Sequence, residues 1–347
     1  MLEIAHRLLP LLTEGRRVVV ATVVAATGSS PSTVGTSMAV DDTGAVTGSI
    51  AGGCVEGAVH ALCETVLAGA DVAVEEFGIS DDDAFAVGLT CGGILRVHAH
   101  ALTDDDVAAL RRAAAGERAV ALVPLSGTVP LEVVGQLRAA AEARLALGRS
   151  GIVRVACGDG PVEAFVEVAA PPARLVLYGA MEFSAALALA AQAVGYRVTV
   201  CDPRPVFATP GRLPGADDVV VAWPPQHLAA SLLTPRDAVA VLAHDDRYDA
   251  ELVLAALRSG AGYVGAMGSR RTHERRLEAL RALGAGADEL ARLRSPIGLD
   301  IGAATPQETA VSVLAEILVV RTGATGRSLA DLDGPIHRSV VEPVRPG

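Results

Sequence analysis

The chain has 347 residues, and this length favours two domains. Its formal net charge of −11 argues against nucleic acid as a partner, because phosphate backbones select basic surfaces. Hydrophobic residues make up 51% of the chain, but no uninterrupted apolar run reaches the roughly 18 residues that a membrane span needs. The chain has no lysine, which excludes a P-loop lysine and a Schiff-base lysine. The N-terminus lacks the basic segment of a signal peptide, so we expect a cytoplasmic protein without a membrane span.

The first half mixes helix and strand patterns, which predicts an α+β domain over residues 1–168. A strand is predicted at residues 17–26, and Asp42-Thr43-Gly44 predicts the turn of a hairpin. A glycine-rich loop then precedes a predicted helix at residues 55–68, and a further strand is predicted at residues 94–100.

The second half begins after a short, stiff linker at residues 169–173, where two prolines stand between apolar strands. Short apolar strands alternate with helices over residues 174–330, which is typical of a parallel sheet covered on both faces. Thr305-Pro306-Gln307-Glu308 predicts the capped start of the last long helix. The polar tail, residues 331–347, is predicted to be a flexible end or a partner-binding strap. The predicted fold class is therefore α/β, a C-terminal Rossmann-like parallel sheet with an N-terminal mixed α+β domain.

Two glycine-rich loops of the first half each contain a cysteine. Gly52 and Gly53 precede a predicted helix, where paired glycines can direct backbone amides toward an anion. Cys54 follows them, at a helix N-terminus of the kind that stabilises a thiolate. Cys91 lies in the turn Thr90-Cys91-Gly92-Gly93. A single cysteine is usually inert packing, but two in matching loops favour a role in ligand binding.

Polar residues also follow two predicted strands of the second half, at the edge where ligands of open α/β sheets bind. His244 and Asp245 follow one strand, and Gly268-Ser269-Arg270-Arg271 follows the next. The second group combines a small-residue turn, a helix N-terminus and two guanidinium groups, which suits a phosphate. His244 could donate a proton or a hydrogen bond to the same ligand. The alternative is that Asp245 or Asp246 caps a helix and that both arginines face solvent.

The first strand-to-helix turn of the second half, Gly179-Ala180-Met181-Glu182-Phe183-Ser184, keeps only one glycine of the dinucleotide fingerprint. Met181 places a long side chain where phosphates would lie, and Glu182 adds negative charge at the helix start. Asp202 has the position of a ribose-binding carboxylate, but we interpret it as a turn residue before Pro203. We therefore do not expect NAD(P) as a cofactor, although an NAD(P)-binding oxidoreductase remains an alternative function.

His98 and His100 lie two residues apart on a predicted strand and share one of its faces. Such a pair could form half of a metal site, but no third ligand is evident. A solvated strand face is the preferred interpretation. The five cysteines include no CxxC pair, so neither a zinc knuckle nor a disulfide framework is predicted.

A series of short motifs extends over nearly the whole chain. They are Thr27-Gly28-Ser29-Ser30-Pro31, Gly52-Gly53-Cys54-Val55-Glu56-Gly57, Thr90-Cys91-Gly92-Gly93, Tyr263-Val264-Gly265-Ala266-Met267-Gly268-Ser269-Arg270-Arg271, Pro296-Ile297-Gly298-Leu299-Asp300-Ile301-Gly302 and Thr305-Pro306-Gln307-Glu308. In content and order they resemble the XdhC/CoxI family, the xanthine dehydrogenase accessory factors.

The resemblance implies a chaperone with no catalytic turnover of its own. It would bind molybdenum cofactor, protect it during sulfuration and help to insert it into molybdenum hydroxylases of the xanthine dehydrogenase type. The implied partners are hydroxylase subunits, with cofactor biosynthesis and sulfuration proteins as further candidates, and a homodimer is expected. The arginine turn after Gly268 would hold the cofactor phosphate, and Cys54 or Cys91 would approach the metal. One departure is the turn at Gly179, where the family commonly has an intact G-A-G-x-x-G. The remaining alternative is a cofactor-free scaffold for hydroxylase assembly.

Overall fold

The computed structural model describes residues 1–27, 32–78, 93–125, 129–158 and 160–333, and the backbone of residues 342–343. The chain divides into two units, one formed by Met1–Pro171 with Leu332–Gly347 and the other by Pro172–Asp331. The division falls between the two prolines of the predicted linker.

The N-terminal unit contains an antiparallel sheet with the strand order β3-β2-β1-β5-β4. Helix α2 packs on one face of this sheet, where Val19, Val40, Val59 and Leu95 belong to one buried cluster. The elements in chain order are α1 (Ala5–Thr13), β1 (Val18–Thr27), β2 (Ser37–Asp41), β3 (Val46–Gly48), α2 (Glu56–Leu67), β4 (Val72–Phe77), β5 (Ile94–Ala101) and α3 (Asp104–Ala114).

A second sheet of the same unit has the order β15-β7-β8-β6 and packs against α4. Its strands β7 and β8 form a hairpin, and β15 of the tail pairs in parallel with β7, Glu342 with Val153. The elements are β6 (Ala119–Pro124), α4 (Leu131–Leu147), β7 (Gly151–Val155), β8 (Val162–Ala169) and β15 (Glu342–Pro343).

The C-terminal unit is a sheet of six parallel strands in the order β11-β10-β9-β12-β13-β14. The predicted Rossmann-like fold is confirmed, since this is the strand order of doubly wound dinucleotide-binding sheets. Helices α5 and α10 cover one face, and α6, α7 and α8 cover the other. The elements are β9 (Arg174–Tyr178), α5 (Glu182–Ala193), β10 (Arg197–Asp202), β11 (Asp218–Val221), α6 (Pro224–Ala229), β12 (Ala238–Val241), α7 (Asp249–Arg258), β13 (Tyr263–Ala266), α8 (Arg270–Ala282), α9 (Ala287–Arg292), β14 (Leu293–Arg294) and α10 (Pro306–Thr322).

Local sequence signals explain where α10 begins. The Thr305 side chain accepts a hydrogen bond from the backbone N–H of Glu308, and the Glu308 carboxylate accepts one from the backbone N–H of Thr305. This capping box was predicted from four residues of sequence, because its partners are neighbours along the chain. No described helix has the length and apolar character that a membrane crossing requires.

The predicted environment of His98 and His100 is wrong, because both side chains are buried, at 1% and 6% exposure. Leu95, Val97 and Ala99 of the same strand face α2, so the two histidines lie on the opposite face of the sheet. That face is also covered: α3, the helix that follows β5, places Asp106 3.5 Å from Nε2 of His100. Burial lowers the pKa of His98 to about 4, and the neighbouring charge of His100 adds to this effect.

Candidate functional site

The glycine-rich loop before α2 does gather backbone amides around an anion, and this anion is the chain's own Glu56 carboxylate. The backbone N–H groups of Ala51 and Gly53 donate to it at 2.9 and 2.7 Å, and the Ser49 hydroxyl donates at 2.6 Å. The backbone N–H of Ile50 donates to the same carboxylate at 3.2 Å. Although burial acts in the opposite direction, these hydrogen bonds lower the pKa of Glu56 to about 2. The amides that the sequence suggested for an external ligand therefore stabilise the loop itself.

The loop presents the Cys54 thiol to solvent. Cys54 is exposed, and it lies two residues before the first residue of α2. Gly52 and Gly53 next to it are exposed and adopt positive φ angles of 70° and 119°, which give the loop its sharp turn. Cys91, the second predicted cysteine, lies outside the described residues.

In the C-terminal unit, a cleft of about 310 Å³ opens beside the carboxyl ends of the strands, between α7 and α8. His244 and Asp245 line it, as expected for residues that follow β12. Asp246 and residues of the two helices complete the lining, which consists of His244, Asp245, Asp246, Asp249, Ala250, Thr272, Arg275, Arg276 and Ala279.

A buried ion pair forms the floor of this cleft. The Arg276 guanidinium donates from Nε and Nη2 to the two carboxylate oxygens of Asp249, at 2.7 and 2.9 Å. It also donates to the Ser295 hydroxyl and to the backbone oxygen of Met267, at 3.0 Å each. Arg276 is only 3% exposed. Its charge and donors are thus used within the protein, and it ties α8 to α7 and to the end of β13.

The rim of the cleft carries polar groups of a different kind. His244, Asp246 and Arg275 are exposed. Within the described part of the chain, none of these three side chains has a hydrogen bond or an ion pair. They are therefore available to a ligand, with one guanidinium, one carboxylate and one imidazole around a neutral floor.

The arginine turn after β13 has a more local role than the sequence suggested. Ser269 caps α8, since its hydroxyl accepts a hydrogen bond from the backbone N–H of Thr272 at 3.1 Å. Gly268 precedes this cap. Arg270 and Arg271 are exposed at the start of α8, and neither lines the cleft.

The sequence reasoning missed the residues of α8 that do line the cleft. Thr272, Arg275, Arg276 and Ala279 follow the i, i+3, i+4, i+7 spacing of one helix face. That spacing could have identified the set, because a helix N-terminus was predicted in the turn Gly268-Ser269-Arg270-Arg271. Which of its arginines is buried and paired could not be read from spacing alone.

The turn at Gly179 is closed by contacts within the chain. The backbone N–H of Ala180 donates to Asp202 at 2.8 Å, and the Ser184 hydroxyl donates to the backbone oxygen of Gly179. A Cβ atom on Gly179 would lie 2.7 Å from the Cβ of Ala243, so the end of β9 lies directly against the segment after β12. Asp202 is the last residue of β10, and its carboxylate accepts the backbone N–H of Arg204 in the turn that follows, at 2.9 Å. Among the residues that the structure describes, no group of three or more His, Cys, Asp or Glu side chains could hold a metal ion.

Comparison with known proteins agrees with this architecture. Residues 175–317 match the family model of the XdhC Rossmann domain, and residues 11–78 match that of the XdhC and CoxI family. Together these matches include more than half of the chain. The chain belongs to the XdhC and CoxI family. The resemblance inferred from the six motifs is thereby confirmed.

Two curated relatives match almost the whole chain. A probable xanthine dehydrogenase subunit of Bacillus subtilis (strain 168) is 29% identical over 323 residues, which span 90% of this chain and 95% of that protein. The molybdenum cofactor insertion chaperone PaoD of Escherichia coli (strain K12) is 28% identical over 311 residues, 89% of this chain and 85% of that protein. A crystal structure described as a xanthine dehydrogenase from Bacillus halodurans has a TM-score of 0.56 and 21% identity, and the match covers 94% of this chain and 97% of that one. At this identity the likeness concerns the fold alone.

Proposed function

We propose that this chain is an accessory protein that binds molybdenum cofactor and assists its maturation and insertion into a molybdenum hydroxylase of the xanthine dehydrogenase type. Membership of the XdhC and CoxI family supports the role, and the similarity to an insertion chaperone supports the cofactor. The observation that carries the proposal is the cleft between α7 and α8, with unpaired polar groups around its rim.

The residues of the cleft fit the parts of such a cofactor, which has a phosphate, a polar pterin and a dithiolene-bound metal. Arg275 offers a free guanidinium to the phosphate, and Arg271, one helical turn before it, adds positive charge on the same side of α8. Arg270 and the positive end of the α8 helix dipole add further attraction for the phosphate. Asp246 and His244 can pair with the N–H and carbonyl groups of the pterin edge. The paired Arg276 and Asp249 leave no net charge on the floor.

The bound metal would supply redox chemistry to the recipient hydroxylase, and the residues of this chain would hold and release the cofactor. Cys54 is the described thiol exposed to solvent, and we propose that it approaches the metal or the sulfur that is added to it. Cys91 is proposed for the same role from its sequence context alone.

The test is the pterin and molybdenum content of protein purified anaerobically, under reducing conditions, from a host that makes the cofactor. We expect stoichiometric pterin with molybdenum in the wild type, and about tenfold less in Arg275→Glu, because the substitution repels the phosphate. Arg281→Glu is the matched control: it lies on the same helix, is exposed and does not line the cleft, and its content should equal that of the wild type. A Cys54→Ala variant should keep the pterin and lose molybdenum or its sulfur.

The same preparation tests the partners. A hydroxylase subunit should co-purify with the wild type, and size-exclusion chromatography should show the proposed homodimer. Fractionation of the native host should place the protein in the cytoplasm. Capture of a hydroxylase partner with neither pterin nor molybdenum would contradict cofactor binding and leave a scaffold.

A further inference from the structure

Helix α10 carries apolar side chains on two faces. The inner face is buried in the core over the parallel sheet, through Ala310, Val313, Leu314 and Ile317. A helix that covers a sheet normally presents polar residues on its outer face, because that face meets water. The outer face of α10 instead contains Val311, which is 56% exposed. The burial of α10 on its own sheet therefore leaves apolar surface uncovered.

The outer residues of α10 follow the spacing of a coiled-coil seam. Alternating steps of three and four residues connect Glu308, Val311, Ala315, Leu318 and Thr322, which we call the outer seam. Glu308, Val311 and Thr322 are exposed, and Ala315 and Leu318 are partly exposed. This alternation keeps side chains in line along one side of a helix, and it is the spacing by which one helix packs against another.

The outer seam is complementary to a reversed copy of itself. Its middle residue, Ala315, is small, so a second helix can approach closely there. Glu308 lies in the first turn of α10, and Arg321 lies in the last. When two copies of α10 run antiparallel with Ala315 at the crossing, Glu308 of each copy lies beside the partner's Arg321. The same arrangement places the oppositely charged ends of the two helix dipoles together.

Both charged side chains are held in place by the chain itself. Glu308 accepts the backbone N–H groups of Ala304 and Thr305 with Oε2, at 2.8 Å each, and in the described residues its Oε1 has no hydrogen bond. Arg321 is exposed, and its guanidinium lies 5.4 Å from the centre of the Tyr196 ring. An ion pair between copies would therefore need little further ordering of either side chain.

Two more aliphatic side chains extend the outer layer of the C-terminal unit. Helix α5 lies beside α10 on the same face of the sheet, and its Leu189 is 52% exposed. Ile301, in the segment that leads into α10, is 51% exposed. With Val311, the outer layer thus exposes three large aliphatic residues, a character typical of surfaces that bind another protein.

We propose that the outer seam of α10 is the interface of a homodimer, in which two copies pack antiparallel about a twofold axis at Ala315. An acidic start and a basic end of one helix complement each other when the second helix is reversed, and a twofold axis supplies that reversal. This argument favours a second copy over a different protein. The inference rests on the proposed homodimer, whose interface it assigns, and it is independent of cofactor binding.

A cysteine at the twofold axis gives the most direct test. Packed helices have axes about 8–10 Å apart and Cα radii of about 2.3 Å, which leaves roughly 3.5–5.5 Å between the two residues on the axis. A disulfide needs a Cα separation of about 4.4–6.8 Å. Under mild oxidation, Ala315→Cys should therefore crosslink two copies, with the bond located at position 315 by peptide mass spectrometry. The control is Ala143→Cys, at an exposed alanine of α4, which should form no such bond.

A charge in the outer seam should separate the two copies. In Val311→Glu the dimer would have to bury two carboxylates, so we expect its dissociation constant to rise about 100-fold or more, measured by sedimentation velocity over a series of concentrations. Leu232→Glu is the matched control, because Leu232 is 86% exposed in the same unit and lies outside the seam. It should keep the wild-type constant. Circular dichroism and thermal unfolding verify that both variants are folded.

The outcomes separate this interface from the homodimer itself. A monomeric wild type would contradict both. Wild-type affinity in Val311→Glu, or no disulfide at position 315 in Ala315→Cys, would leave the homodimer and overturn this interface. A Val311→Glu dimer that no longer co-purifies with the hydroxylase would also overturn it, since the seam would then bind the hydroxylase. Pterin content is measured separately, so cofactor binding is judged on its own.

Discussion

The glycine loop before α2 and the carboxyl edge of the parallel sheet look alike as sequence, since both combine small residues with a helix start. In the structure, the donors of the loop are used by a carboxylate of the chain itself, whereas the carboxyl edge keeps donors that no group in the described residues uses. The loop directs its amides at Glu56, a carboxylate of its own helix. The carboxyl edge holds guanidinium groups that keep unused donors, at Arg275 on the cleft rim and at Arg204 and Arg247, which follow β10 and β12.

The difference shows that an anion-binding sequence pattern identifies a place where negative charge is stabilised, and does not identify its source. An internal carboxylate within a few residues of the amides binds without loss of translational entropy, so it outcompetes an external ligand. A site stays open to ligands only where some charged groups have no intramolecular partner.

The largest expected effect is the loss of unfolding free energy on replacing Arg276, the buried arginine of the cleft, compared with replacing its exposed neighbour Arg275. Arg276→Leu leaves the Asp249 carboxylate partly buried without its partner, and we expect the C-terminal unit to lose about 3–5 kcal/mol of unfolding free energy. Arg275→Leu should change it by about 0.5 kcal/mol or less. Denaturant unfolding combined with hydrogen exchange assigns each loss to its unit. Equal losses of unfolding free energy in the two variants would show that Arg276 contributes no more to stability than Arg275 does.

Replacing Gly179 and Gly52 with alanine compares a crowded turn with an open one. At Gly179, with φ of 109°, a Cβ would meet the Cβ and the backbone nitrogen of Ala243 at 2.7 and 2.9 Å. We expect Gly179→Ala to cost about 3 kcal/mol, from backbone strain and overpacking. At Gly52, with φ of 70°, no atom lies within 4 Å, so Gly52→Ala should cost only about 1 kcal/mol. Thermal unfolding of both variants measures the difference, and a larger loss at Gly52 would contradict it.

Mild acid should lower the stability of the N-terminal unit, because protonation of the buried His98 is unfavourable in the folded state. Its folded-state pKa of about 4 lies below the ordinary value of 6.5, so the folded state favours neutral imidazole. This contribution is fully present above about pH 6.5 and is lost as the pH falls toward 4, and we expect it to reach about 2–3 kcal/mol. His98→Gln should remove this part of the pH dependence, whereas His6→Gln, an exposed histidine, should keep it. Urea unfolding at a series of pH values tests this, and an unchanged slope in His98→Gln would refute it.

The smallest expected effect concerns Glu56. Glu56→Gln removes the charge that the loop amides stabilise, and after allowance for solvent screening we expect a loss of about 1–2 kcal/mol. Since the folded-state pKa of Glu56 is lowered from 4.5 to about 2, the wild type keeps this contribution above about pH 4.5 and loses it toward pH 2. The exposed Glu64 of the same helix provides the control Glu64→Gln. If both variants were equally stable, the loop amides would not depend on Glu56.

Features that depend on neighbours in the chain were predictable. The α10 capping box, the helix N-terminus in the turn after β13 and the alternation of strands and helices in the second half all follow from local hydrogen bonds and the hydrophobic period. The burial of His98 was not predictable. The two-residue period of a strand shows which side chains share a face, but it does not show that α3 covers that face as well.

The sequence by itself determined the α/β class, the parallel C-terminal sheet and the family, since each depends on residue order and spacing. Only the tertiary structure decided which charged groups remain available. Arg275 and Arg276 are adjacent and chemically identical, yet one is exposed and the other is buried against Asp249, which lies 27 residues away. Ion pairing and burial depend on distances in space, and those distances exist only once the helices have packed on the sheet.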